Sequence, residues 1–97
     1  MTSVRELARN LSEEIGAAAA MAPNEYDAGG YTTYENNMAD IREFWARIKP
    51  KLKHDAGRSD LIEKQVAAMI EAFDAGDKKL GRKIAWDLWN LPIRNLK

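Results

Sequence analysis

Ninety-seven residues allow one modest hydrophobic core, and fifteen basic against fifteen acidic side chains give a formal charge of zero. With no cysteine, a disulfide framework, a thiolate metal site and a cysteine nucleophile are all excluded. No apolar run approaches the ~18 residues of a membrane-spanning helix.

Apolar residues make up 45% of the chain, but fifteen of them are alanine. Ala, Leu, Lys, Glu and Arg outnumber Val, Ile and Thr, which favours helix over strand. The pattern predicts an all-α, single-domain protein over residues 1–97. Its form is a four-helix bundle or an orthogonal four-helix array, with an αα-hairpin at the C-terminus.

The first helix is expected over about residues 4–21. Ser3 and Glu6 form a capping box, and Val4, Leu7, Leu11, Ile15 and Ala18 recur at helical spacing. The alanine-rich end from Ala17 can approach a neighbouring helix closely but has little to bury. Pro23 ends it by pushing Ala22 out of helical geometry. The acids Glu6, Glu13 and Glu14 stand where a signal peptide carries basic residues, so a cytoplasmic location is expected.

The second helix is expected over about 33–53, opened by a capping box of Thr32 and Glu35. Tyr34, Met38, Ile41, Trp45, Ile48 and Leu52 fall within about 80° of arc. Because this stripe stays in register through Leu52, Pro50 reads as a kink and not a stop. The third helix is expected over about 60–73, capped by Ser59 or Asp60, with Ile62, Val66, Met69, Ile70 and Phe73 on one face. Leu61, Ala68 and Ala72 widen that face. The fourth is expected over about 78–91, between the Asp77 cap and Pro92. Its first face is Leu80, Ile84, Leu88 and Leu91. Asp-Ala-Gly occurs at 27–29, 55–57 and 74–76, and each copy reads as a turn between helices.

Chemistry is sparse. The only histidine, His54, lies beside Asp55. A catalytic triad would have to draw on Ser3, Ser12 or Ser59, and two of these read as caps. No metal-ligand spacing, phosphate loop or cofactor motif appears. The expectation is a protein that is not an enzyme and holds no cofactor or metal.

Charge is segregated. Residues 1–48 carry four basic and eight acidic side chains, and residues 49–97 carry eleven and seven. No basic residue occurs between Arg9 and Arg42. Within that stretch Glu25, Asp27, Glu35 and Asp40 offer an acidic surface to a partner with a basic one. Tyr26 and Tyr31 add contact chemistry in the first connection, large in area and cheap in entropy. The fourth helix carries a second apolar stripe, Ala85, Trp86 and Trp89, with Arg82 one turn before Trp86 for cation–π stacking.

Trp and Arg are the residues that most often anchor interfaces. The expected function is therefore a small protein-binding regulator or inhibitor. Two alternatives stand beside it. One is nucleic-acid binding through Lys78, Lys79, Arg82 and Lys83, which zero net charge disfavours. The other is self-association as a homodimer.

Overall fold

The computed structural model describes residues 3–22, 24–26, 33–52 and 56–91. Four helices follow one another: α1 (Val4–Met21), α2 (Tyr34–Ile48), α3 (Ala56–Asp74) and α4 (Lys78–Asn90). A single 3₁₀ turn, Lys49–Lys51, extends α2. No strand occurs among the described residues, and the all-helical expectation is met.

Local chemistry explains most of the helix ends. The Ser3 hydroxyl accepts from the Glu6 amide at 3.1 Å, satisfying one of the orphan donors of the first turn. Asp77 does the same for Leu80 at 3.1 Å. At the α3–α4 corner, Gly76 adopts φ +82°, and the Asp77 amide reaches back to the Ala72 carbonyl at 2.8 Å. This left-handed closure is cheap for glycine and reverses the chain into a hairpin.

Four expectations are corrected. Thr33 caps α2, not Thr32; its hydroxyl accepts from Asn36 at 3.1 Å. Helix α2 stops at Ile48, because Pro50 has no amide to continue the ladder and the chain tightens into the 3₁₀ turn. Leu52 is extended but still packs on the core, which is why its register looked helical. Helix α3 begins at Ala56, several residues before Ser59. Ser59 lies on the Ile62–Val66 face and is buried there, so it is no solvent-facing cap. Gly57 of the second Asp-Ala-Gly copy consequently sits inside α3 and not in a turn.

The core is built as the stripes imply for α1 to α3. Leu7, Leu11, Ile15 and Ala18 meet Met38, Ile41, Trp45 and Ile48, and Ile62, Val66, Met69, Ile70 and Phe73 close the other side. Helix α1 packs on both α2 and α4, and α3 packs on α4. Helices α2 and α3 meet only lightly. As a result α3 is covered over one arc, and Leu61 and Ala68 are exposed where the sequence pattern had them inside.

Helix α4 departs further. Its fully buried residues are Gly81, Ala85 and Leu88; Ile84 and Leu91 of the expected face pack partly buried against the core, and Leu80 is 46% exposed. The reason is steric. A Cβ at position 81 would stand 2.5 Å from the Phe73 ring, so glycine there lets α4 lie close against α3. That approach turns the small-residue face inward and leaves the larger Leu80 on the flank.

Candidate functional site

Of the residues singled out from the sequence, Trp86 and Trp89 are placed most conspicuously. They are 54% and 41% exposed. Their rings stack in parallel, with centroids 5.1 Å apart and an interplanar angle of 6°. Trp89 is seated on α1: a Cβ at Gly16 would lie 3.1 Å from its Nε1. The glycine therefore makes the seat, and Trp86 stands on the outer side of the pair. Ala85, grouped with these tryptophans in the sequence pattern, belongs instead to the core.

Arg82 does not serve Trp86 as a cation. Its Nε donates to the Ala22 carbonyl at 2.8 Å, where α1 ends. Its Nη2 lies 3.1 Å from Glu25 Oε2, an ion pair out of line for a hydrogen bond. Glu25 also takes Lys78. Lys78 first, and then Arg82, hold the Glu25 carboxyl below the usual carboxylate range. This carboxylate thus ties the first connection to α4. It is not a free acid awaiting a basic partner.

Tyr26 is likewise used internally. Its hydroxyl donates to Asn37 Oδ1 at 2.7 Å. Asn37 is fully buried, and its Nδ2 donates to the Glu14 carbonyl at 3.0 Å and to Glu14 Oε2 at 2.6 Å. A buried amide costs stability unless its donors and acceptor are met, and here both are. The clamp fixes the register of α1 against α2 and pins residue 26 onto the seam. Burial, followed by the nearby Glu14 charge, pushes the Tyr26 hydroxyl up to about 12. Glu14 is itself raised, first by burial and then by Asp40 and Glu13, against the lowering by Asn37.

The remaining candidates are dispersed. Glu35 is exposed in the first turn of α2, and Asp40 is half-buried beside Glu14. Lys79 is exposed, and Lys83 pairs with Asp87 at 3.2 Å on the surface. Asp27, Tyr31 and His54 lie outside the described residues. No group of three or more acidic or histidine side chains suited to a metal occurs among the described residues. No described helix is long and apolar enough to cross a membrane.

The light α2–α3 contact leaves an open cleft of about 380 Å3, lined by Arg42, Ala67, Ile70, Glu71 and Asp74. Two polar contacts join the segments on either side of it. The Tyr34 hydroxyl donates to Asp74 at 2.7 Å, and Lys49 pairs with Glu63 at 2.5 Å. One guanidinium facing two carboxylates in an open cleft gives a small ligand little single chemistry to read.

Gly16, Gly81, Glu14 and Asn37 were not read from the sequence as site-forming. The small residues carry a weak signal, since a glycine inside a helical pattern marks a close approach. Asn37, one position from the core stripe residue Met38, has no local signature that distinguishes it from a solvated asparagine. No protein-family model, curated protein or solved structure matches this chain.

Proposed function

We propose that this chain is a small, non-enzymatic, cytoplasmic protein that regulates or inhibits another protein by binding it through the outer face of α4. The observation that carries the reading is the exposed, stacked Trp86–Trp89 pair. An exposed indole pair forgoes burial worth about 25 cal/mol for each Å2 of apolar surface. A core that buries Trp45 but leaves these two outside has a use for them in contact with something else. Tryptophan is also the residue most enriched among interface anchors. The Gly16 seat supports the reading further, because a pre-seated ring loses little entropy on binding.

The test joins spectroscopy to capture. Acrylamide should quench two tryptophans readily and spare Trp45. Protein captured from the native host by the wild-type chain should be lost with Trp86→Ala and kept with Glu35→Gln. Capture that survives Trp86→Ala would rule out this face. Light scattering on the purified chain distinguishes a foreign partner from a second copy.

A further inference from the structure

Resting on the reading above, we infer that the partner presents an acidic segment with an apolar anchor to α4. Lys79, Lys83, Trp86 and Asn90 fall within about 60° of arc on the helix, and all four are exposed. Trp89 adjoins this stripe. Lys83 stands about 4.5 Å and Lys79 about 10.5 Å along the axis from Trp86, toward the N-terminus of α4. The surface is therefore graded, cationic at one end and aromatic at the other. An apolar side chain seated on the indoles would have its own carboxylates, placed toward that end, within reach of both ammonium groups.

The chain itself shows that this end of α4 takes carboxylates. Glu25 already bridges Lys78 and Arg82, on the side that faces α1. Lys79 and Lys83 project outward, about 100° round the helix from that bridge. Lys79, in the first turn, opposes the helix macrodipole, and Lys83, a turn further on, is held only by an exposed pair with Asp87 that a partner carboxylate can replace. The same arrangement argues against nucleic acid. With Lys78 and Arg82 engaged by Glu25, the two lysines Lys79 and Lys83 are too few for a phosphate backbone, whereas a short acidic segment needs no more.

The test uses fluorescently labelled synthetic peptides with a helical Leu stripe. One carries Glu at its polar positions, and its counterpart carries Gln. A labelled oligothymidine is the third probe, and anisotropy is the readout. The Glu peptide should bind about ten-fold more tightly than the Gln peptide at low salt, and the advantage should shrink as salt is added. The double variant Lys79→Gln/Lys83→Gln should erase the difference, and Trp86→Ala should weaken both peptides. All of these positions are exposed, and circular dichroism confirms that each variant is folded.

Equal affinity for the two peptides, indifference to the lysine pair, or tighter binding of oligothymidine would each overturn the inference. So would the absence of binding to any probe. Should capture from the host depend on Trp86 while the Glu peptide fails to bind, the proposed function stands and the acidic partner falls.

Discussion

Helix α1 has two seams, and they treat polar and aromatic groups in opposite ways. Against α2 it buries Asn37 and satisfies it completely with Glu14 and Tyr26. Against α4 it offers Gly16, and the Trp89 ring resting there, with Trp86 stacked on it, remains at the rim. The first seam spends its polar chemistry on its own register, so Tyr26 and Glu14 are not available to a partner. The second is held by close approach and by Arg82 at its end, and leaves its largest side chains outward. A seam that is chemically complete reads as architecture. A seam with an unfinished aromatic edge reads as a place for contact.

Asn37→Ala is the severest test of the first seam. It leaves the half-buried Glu14 carboxylate and Tyr26 hydroxyl without their partner and opens a small void. The expected cost is about 3 kcal/mol, read from urea denaturation at neutral pH. A cost below about 1 kcal/mol would mean the clamp is incidental. Next come the two glycines that set the approach of α4. Gly81→Ala drives a methyl into the buried Phe73 ring and should cost about 2 kcal/mol. Gly16→Ala presses on a ring at the rim, which needs to give by only a few tenths of an ångström. It should be neutral or gain up to about 1 kcal/mol from helix propensity, while Trp89 becomes easier to quench. Equal costs at the two positions would erase the contrast between buried and rim packing.

Glu14 supplies a pH signature. Its carboxyl titrates above the usual carboxylate range in the folded protein, chiefly because of burial. Its contribution to stability is therefore fully present below the unfolded value and is lost as pH rises through the folded one. At pH 7 the ionised group is a burden. Glu14→Gln keeps an acceptor for Asn37 and should be at least as stable as wild type there. Its advantage should vanish as pH falls below the usual carboxylate range. Glu25 shifts the opposite way, but it is common to both proteins and cancels in the difference. An advantage that persists unchanged in acid would contradict the burial argument. Trp86→Ala should change stability least, within about 0.5 kcal/mol by thermal unfolding. A large loss would place that indole in the fold and not at an interface.

How much of this was legible beforehand varies along the chain. The stripes of α1 and α2 were, because each large side chain recurs on one narrow arc and each found the core. The caps Ser3 and Asp77 and the turn at Gly76 were legible for the same reason: they depend on neighbours within a few residues. In α4 the pattern offered two apolar faces, and sequence spacing ranked the Leu80–Leu91 face first. Ile84, Leu88 and Leu91 of that face do pack on the core, but close approach to Phe73 brought Gly81 and Ala85 fully inside and left Leu80 on the flank. The candidate site was legible in its residues, Trp86 and Trp89, but not in its placement. Tyr26, Glu25 and Arg82 were legible as chemistry and misplaced as contacts, because their partners lie on other helices.

By itself the sequence determined that this chain is all-helical, where three of its four helices turn their faces, and that charge is unevenly spread along it. Those properties follow from periodicity and local hydrogen bonding, which act within a few turns. Only the tertiary structure decided which side chains of α4 face outward and which charges are already spent on one another. Such outcomes depend on distances between helices. Those distances are set at Gly16 and Gly81 by the absence of a side chain, a feature that carries no periodic signal.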